Sequence, residues 1–142
     1  MIKVCFVCTG NTCRSIMAER LMKKLLKNKN YEGIKVFSRG LDARGENITE
    51  NAKKILKRYH ALSSNRKSVK LGKIDKDTLY VTMTESQKGQ IQNSKNVISF
   101  KSLIGKDILD PYGQSEEIYL KTAEDLIEGI SVLINKIKNW RE

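Results

Sequence analysis

The chain has 142 residues, which suits one ordinary domain, and 39% of them are hydrophobic, enough for a single core. Lysine and arginine number 27 against 16 acidic residues, so the net charge of +11 favours an anionic partner: nucleic acid, an anionic membrane or a phosphorylated substrate. We expect neither a signal peptide nor a membrane span, and three cysteines clustered between positions 5 and 13 are a poor framework for secreted disulfides.

Strands and helices are predicted to alternate along the chain. A continuous apolar run predicts a buried strand over residues 2–8, and apolar residues at helical spacing follow Ser15. The later elements, in chain order, are predicted as a strand at 34–38, a helix at 49–59, a strand at 79–83, a short helix from about 84, a strand at 96–100, a loop at 101–114 and a helix from 115. This alternation predicts a single α/β domain over residues 1–142, a four-stranded parallel sheet with helices on both faces.

The segment 8–15, Cys-Thr-Gly-Asn-Thr-Cys-Arg-Ser, lies between the first predicted strand and the first predicted helix. Unpaired amides and the positive dipole end of a helix N-terminus bind anions, and Gly10 permits the backbone angles of a loop that wraps a phosphate. The same field favours the thiolate form of Cys8. Arg14 can grip a phosphate with two hydrogen bonds, and Ser15 can donate one to the sulfur. The segment therefore predicts a phosphate-binding loop with a nucleophile at its base.

A thiolate that attacks phosphorus needs a proton donor for the departing group, and Asp110 is the candidate. It precedes Pro111, the only proline in the chain, which disfavours helix at Asp110 and stiffens the loop. Taken alone, the Asp-Pro pair is more typical of a simple turn before the last helix. Beside the loop at Cys8, we favour a carboxylate held over the phosphate site.

These motifs resemble those of a known family. Residues 7–15, followed by Met-Ala-Glu at 17–19, resemble the signature of the low-molecular-weight protein tyrosine phosphatases. The Asp-Pro-Tyr-Gly at 110–113 resembles the general-acid loop of that family, and the segments 38–40 and 81–84 resemble two further elements. The resemblance covers nearly the whole chain in the order of the family.

The resemblance implies a role for each site residue. Cys8 would be the nucleophile, Arg14 the phosphate clamp, and Asp110 the general acid and then the general base. The rest of the loop would bind phosphate and shape the site: Thr9, Gly10, Asn11, Thr12, Cys13 and Ser15. Members need no metal or other cofactor, and they often guard the nucleophile by a reversible disulfide with the second cysteine of the loop, here Cys13.

The expected substrates follow from the same resemblance, and the expected location follows from the clustered cysteines. The expected substrates are phosphorylated proteins, with inorganic phosphate as product. We expect no membrane and no nucleic-acid partner. The expected location is the cytoplasm, where reducing conditions keep the clustered cysteines as thiols.

Four positions depart from the family pattern. Ile16 stands where most members have proline, and Arg39 replaces the usual alanine. Asn65 falls near a position where histidine is common, so a buried hydrogen bond is expected to differ. Gly113 replaces the second tyrosine of many eukaryotic members, which leaves Tyr112 as the expected aromatic wall of the pocket.

Thr12 is the residue that bears most directly on substrate choice. Tyrosine-directed members usually have an aliphatic side chain there, whereas members resembling bacterial protein arginine phosphatases have threonine. A hydroxyl beside the phosphate suits a polar guanidino group better than a phenol ring, and one polar contact can discriminate strongly. We therefore expect phosphoarginine as the substrate, with phosphotyrosine as the alternative.

Three other functions deserve comparison. Cys5 and Cys8 form a Cys-x2-Cys pair, but residues at i and i+3 of a strand point to opposite faces, and His60 is the only histidine, so zinc or thioredoxin-like chemistry is disfavoured. An arsenate reductase of the same fold would need further relay cysteines, and none follows Cys13. A nucleic-acid-binding module would fit the charge, yet the chain lacks interleaved basic and aromatic residues.

Overall fold

A computed structural model describes residues 1–61, 66–91 and 95–141. The elements in chain order are β1 (Ile2–Cys8), α1 (Arg14–Asn28), β2 (Ile34–Gly40), α2 (Glu50–Arg58), β3 (Thr78–Thr82), α3 (Glu85–Gln90), β4 (Val97–Ser99), α4 (Phe100–Ile104) and α5 (Glu116–Arg141). Most of the expected elements lie within a few residues of these bounds. Asn65, named above for a possible hydrogen bond, lies outside the described residues.

The four strands form one parallel sheet in the order β2-β1-β3-β4, which confirms the predicted α/β class. Parallel strands end at one edge of a sheet, and ligands of such folds bind beyond that edge. Cys8 is the last residue of β1 and pairs with Gly40, the last residue of β2. The sheet therefore brings the segments that follow Cys8 and Gly40 side by side.

Alternate residues of β1 enter two separate apolar clusters, as the pleat of a strand requires. Phe6 and Cys8 belong to the main core, which α1, α2, α4 and α5 cover. Cys5 and Val7 belong to a smaller cluster on the other face. This cluster also contains Ile91, which directly follows α3. Helices thus lie on both faces, but unevenly. Cys5 and Cys8 lie on opposite faces, as predicted, and cannot share a metal.

The segment 101–114 was expected to be a loop, and that expectation is wrong for its first residues because α4 extends to Ile104. Phe100 begins this helix, is fully buried and stacks on Phe6, with ring centroids 6.1 Å apart. Its ring also lies against Gly129 of α5, where a Cβ would overlap it. A helix of five residues is too short to leave a periodic pattern, so only this tertiary packing defines it.

Candidate active site

Residues 9–13 form a loop that leaves β1 and enters α1. Three carbonyl oxygens are held from outside the loop, one at the end of β1 and two within the loop. Cys8 O accepts from Leu41 N at 2.9 Å, and Thr9 O accepts from Asp42 N at 2.9 Å. Thr12 O accepts from Thr49 N at 3.0 Å. In a trans peptide the N–H points opposite to the C=O, so the amides that follow these carbonyls point away from the partners. The loop is therefore fixed with amide donors on its inner side.

Cys8 is 2% exposed, and its sulfur lies at the base of this loop. The amide of Asn11 donates to it at 3.2 Å, and the Ser15 hydroxyl oxygen lies 2.9 Å from it. That oxygen already accepts from the Asn11 side-chain amide at 2.7 Å, so its hydrogen remains for the sulfur. Two donors and the N-terminal end of α1 converge on one sulfur, an arrangement that stabilises a thiolate.

Asn11 is the residue that holds the loop in shape. Its φ of 58° is uncommon for a non-glycine residue, and both ends of its side chain are occupied. The amide nitrogen donates to Ser15 and to the Ser38 hydroxyl at 3.0 Å. The amide oxygen accepts from Arg66 at 3.1 Å and from Val69 N at 3.0 Å. Asn11 and Ser15 thus lie behind the site and support it.

Sequence reasoning missed Arg66, which extends this support. Its guanidinium donates to Ser38 at 2.6 Å and to the Glu19 carboxylate at 3.1 Å, as well as to Asn11. Arg66 follows a stretch without periodicity, so no sequence pattern indicated that it would reach the loop. Ser38 and Glu19 had been noted only as parts of family elements. Together these residues link the loop to β2 and α1.

Glu19 is a carboxylate that is 3% exposed. Burial raises its pKa, but the Ser38 hydroxyl and the charges of Lys23 and Arg66 outweigh burial and lower the pKa overall. The Ser38 hydroxyl donates to it at 2.8 Å, and Arg20 donates at 3.0 Å. Glu19 therefore stays ionised and anchors the cations around it.

Arg14 begins α1 and is 6% exposed, which places its guanidinium at the wall of the site. One terminal nitrogen donates to Ile108 O at 2.9 Å, and the other lies 3.8 Å from the Asp110 carboxylate. Its Nε is buried and has no hydrogen-bond partner in the part of the chain that the structure describes. Buried donors are normally satisfied, so this nitrogen is available to an oxyanion in the loop.

Asp110 lies beside Arg14, on the segment after α4. Ile108 N donates to Met83 O at 2.9 Å, which ties this segment to the end of β3. The Asp110 side chain is 53% exposed, and it accepts from Tyr112 N at 3.1 Å and from the Cys13 thiol at 3.5 Å. The carboxylate thus faces both the loop and solvent. Such a group can exchange a proton with a leaving group and with water.

Cys13 lies beside Cys8 in the loop, and all three cysteines of the chain are free thiols. Burial first, and then the neighbouring Cys8 and Asp110, raise the pKa of Cys13 to about 12. Its thiol is therefore neutral and serves as a donor to Asp110. The predicted redox role of Cys13 stays a prediction.

A cavity of about 200 Å³ joins these groups. Its lining contains eight of the ten predicted site residues and adds one: Cys8, Thr9, Gly10, Thr12, Cys13, Arg14, Asp110 and Tyr112, with Glu46. Glu46 was missed because an isolated acidic residue in a connecting segment carries no sequence signal. Tyr112 is 66% exposed and stands at the rim. The cavity can hold a tetrahedral dianion between a sulfur nucleophile, an arginine and a carboxylate.

In the described part of the chain, no group of three or more His, Cys, Asp and Glu side chains is placed to bind a metal ion. None of the helices in the ranges 1–61, 66–91 and 95–141 has the length and apolar character needed to cross a membrane.

Comparisons with known proteins give matches over nearly the whole chain. A family model described as low molecular weight phosphotyrosine protein phosphatase matches residues 3–142. The chain is 32% identical to the low molecular weight protein-tyrosine-phosphatase PtpB of Staphylococcus aureus, over 97% of this chain and 98% of the relative. It superposes on YwlE arginine phosphatase from Geobacillus stearothermophilus with a TM-score of 0.86 and 31% identity, over 99% and 96% of the two chains. A variant of YwlE arginine phosphatase with a phosphorylated active-site serine gives a TM-score of 0.81 at 31% identity, over 96% of each chain.

Proposed function

The chain belongs to the low molecular weight phosphotyrosine protein phosphatase family and is a cysteine-dependent phosphatase, and we propose that it removes phosphate from arginine side chains of proteins through a phosphocysteine on Cys8. The observation that carries the proposal is the convergence of Asn11 N, Ser15 Oγ and the start of α1 on the Cys8 sulfur. These groups stabilise the thiolate as nucleophile and later as leaving group.

The first chemical step forms the bond between sulfur and phosphorus. The Cys8 thiolate attacks the phosphorus, the bond from phosphorus to the substrate nitrogen or oxygen breaks, and protonated Asp110 gives its proton to that leaving atom. Arg14 and the inward amides of the loop stabilise the negative charge of the equatorial oxygens. The free Nε of Arg14 supplies one of these contacts.

The second step is the reverse of the first, with water in place of the leaving group. Asp110, now ionised, takes a proton from a water molecule that attacks the phosphorus of phosphocysteine. The sulfur–phosphorus bond breaks, the thiolate of Cys8 is restored, and inorganic phosphate leaves. Asp110 can serve in both steps because its carboxylate is half exposed and lines the cavity that also contains Cys8.

Two side chains of the cavity favour phosphoarginine. Thr12, which carries a hydroxyl, and Glu46, which carries a carboxylate, are both lining residues of the cavity. A guanidino group is planar, polar and rich in N–H donors, so it can bond both groups, whereas a phenol ring offers no donor to them. The YwlE neighbours bear the name arginine phosphatase, which agrees with this choice.

Phosphotyrosine is the second candidate, and one observation favours it. Tyr112 gives the cavity an aromatic rim against which a phenol ring could pack, and the relative PtpB bears the name protein-tyrosine-phosphatase. The two candidates share the same steps at Cys8, Arg14 and Asp110.

We further propose that the enzyme works in the cytoplasm on phosphorylated proteins. Cys5, Cys8 and Cys13 are all free, and a catalytic thiolate requires reducing surroundings.

The test compares turnover of matched peptides that carry phosphoarginine or phosphotyrosine at the same position. We expect a higher kcat/KM for the phosphoarginine peptide. Thr12→Val, which removes the hydroxyl at nearly constant volume, should lower that value by about tenfold, since one lost hydrogen bond to a charged group costs about 1.5 kcal/mol. Thr12→Ser keeps the hydroxyl and is the matched control.

Cys8→Ser supplies a test of the mechanism itself. The variant should stay folded and lose turnover of both peptides and of a small aryl phosphate, because a serine hydroxyl is a far weaker nucleophile. Near-normal turnover by folded Cys8→Ser would refute the phosphocysteine. A wild-type enzyme that prefers the phosphotyrosine peptide would refute only the substrate assignment.

A further inference from the structure

A second and larger cavity, of about 440 Å³, lies on the sheet face that carries α3, away from Cys8. Side chains from β1, β2 and β3 and from the segment before β3 line it. Its floor contains two aromatic side chains, the half-buried Phe37 and the buried Tyr80, which belong to the smaller of the two apolar clusters. Its volume falls in the range of sites that bind small molecules.

Cationic side chains surround this floor. The lining contains five of them and a single carboxylate: Lys3, Lys35, Arg39, Lys70 and Lys73, with Asp75. Asp75 is already engaged, because it accepts from Lys3 at 2.8 Å and from the Thr78 hydroxyl at 2.9 Å. For the other four cations, no ion pair occurs among residues 1–61, 66–91 and 95–141.

Several hydrogen bonds fix Asp75 in the wall of the cavity. Its backbone N–H donates to the buried Tyr80 hydroxyl at 2.9 Å. The Lys3 hydrogen bond, together with donors from Asp77 and Thr78, lowers the pKa of Asp75 to about 2. Asp75 therefore stays ionised and bound to its own partners across the physiological pH range, and the remaining cations lack a counter-charge.

Two of those cations are positioned over the aromatic floor. The Arg39 guanidinium lies 5.0 Å from the centroid of the Phe37 ring, and the Lys35 ammonium lies 6.0 Å from it. Arg39 also donates to Ser38 O at 2.7 Å, which restrains its side chain. Contacts with an aromatic face orient a cation without neutralising it. The cavity is therefore a concave site whose uncompensated charge is about that of four cations.

We propose that this cavity binds a small molecule with an oligophosphate chain, in addition to the phosphate site at Cys8. Several negative charges on adjacent phosphates match several cations around the cavity, and the aromatic floor can accept an organic group attached to the chain. A single phosphate would leave most of the cations unpaired. An acidic peptide carries its charges on long flexible side chains and fits a cavity of this size less well.

The site can be tested by NMR on the full chain at about 0.15 M salt, where the Debye length of about 8 Å suppresses non-specific attraction. Inorganic tripolyphosphate, a nucleoside triphosphate and the same nucleoside without phosphate are titrated into labelled protein. We expect both phosphates, and not the nucleoside, to shift the amide signals of Leu71, Gly72 and Thr78 to saturation. The two phosphates distinguish the oligophosphate chain from the organic group attached to it.

Charge reversal supplies the matched comparison. Lys35→Glu with Lys73→Glu should raise the Kd for tripolyphosphate by at least about tenfold, because two attractive contacts become repulsive. Lys54→Glu with Lys138→Glu makes the same change in net charge on α2 and α5, which cover the other face, and should leave the Kd within about twofold. Lys35→Gln with Lys73→Gln should give an intermediate loss. All of these variants should retain turnover of an aryl phosphate.

Several results would overturn the proposal. One is the absence of saturable shifts at Leu71, Gly72 and Thr78, or shifts confined to Gly10 and Thr12 in the loop. Another is an equal rise of the Kd in the two charge-reversed double variants, which would indicate attraction to net charge alone. Tighter binding of a glutamate-rich peptide than of tripolyphosphate would show that the occupant is a different one. These measurements do not depend on the substrate of the active site, so the proposal for this cavity can be refuted or supported independently of the proposed function.

Discussion

Replacing Gly40 by alanine should disable the active site through a single methyl group. Gly40 ends β2 opposite Cys8, and a Cβ there would lie 2.7 Å from Thr9 O and 3.0 Å from the Asn11 Cβ. It would also lie 2.9 Å from the Ala43 Cβ. Gly40 is not among the residues with positive φ, so the backbone itself accepts alanine. The whole effect should therefore come from steric overlap with the loop.

The size of the effect follows from these distances. Ordinary van der Waals contact begins at 3.4 Å, so the Thr9 carbonyl must retreat by about 0.7 Å. That carbonyl is held by Asp42 N at 2.9 Å and cannot retreat alone. Overpacking of this kind costs about 1–3 kcal/mol of stability. A displacement of about 1 Å in a reacting geometry costs up to about 100-fold in rate, so we expect kcat to fall by about 10- to 100-fold.

The assay is steady-state turnover of an aryl phosphate, with urea unfolding as the measure of stability. Gly89→Ala is the matched control, because a Cβ at Gly89 meets no atom within 4 Å and α3 gains a better helix former. We expect the control to keep its kcat and its stability. A Gly40→Ala enzyme whose kcat stays within about twofold of wild type while it remains folded would refute the reasoning, since the loop would then tolerate the displacement.

Four further predictions concern the surroundings of the sulfur. Asp110→Asn should slow substrates with poor leaving groups by about 100-fold or more and activated aryl phosphates much less, and a uniform loss across the series would remove Asp110 from the acid role. Arg66→Ala should lower kcat about tenfold with little change in KM, because Arg66 positions the loop without contacting substrate. Arg66→Lys should recover part of the loss. An unchanged kcat in Arg66→Ala would contradict that positioning role. Peroxide should convert the Cys8 thiolate to sulfenic acid, and the Cys13 thiol should then displace water to form a disulfide, slowly at neutral pH because burial holds the pKa of Cys13 near 12. Mass spectrometry of the loop peptide measures this disulfide. If inactivation by peroxide is as reversible in Cys13→Ser as in wild type, the protective role of Cys13 is contradicted. Because the folded pKa of Glu19 lies below its unfolded value, its contribution to stability is present above about pH 4.3 and is lost as pH falls through the folded pKa. Urea midpoints measured from pH 6 to pH 3 should therefore fall less steeply in Glu19→Gln than in wild type.

The amino-acid sequence determined most of this fold by itself. The apolar run of β1 and the helical stripe of α5 come from local periodicity, and periodicity does not depend on distant contacts. The phosphate loop is also local, since it joins one strand to the next helix within segment 8–15. The opposite directions of Cys5 and Cys8 follow from the two-residue repeat of a strand.

Tertiary structure alone decided the features that depend on long-range contact. Arg66 reaches Asn11 across 55 positions of sequence, and nothing in the sequence near either residue indicates that hydrogen bond. The short helix α4 forms because Phe100 packs on Phe6 and Gly129, which lie in separate elements. The cationic cavity likewise assembles side chains from three strands and a connecting segment. In the sequence those lysines are scattered, and their charges concentrate in one place only because the strands pair in parallel and in register.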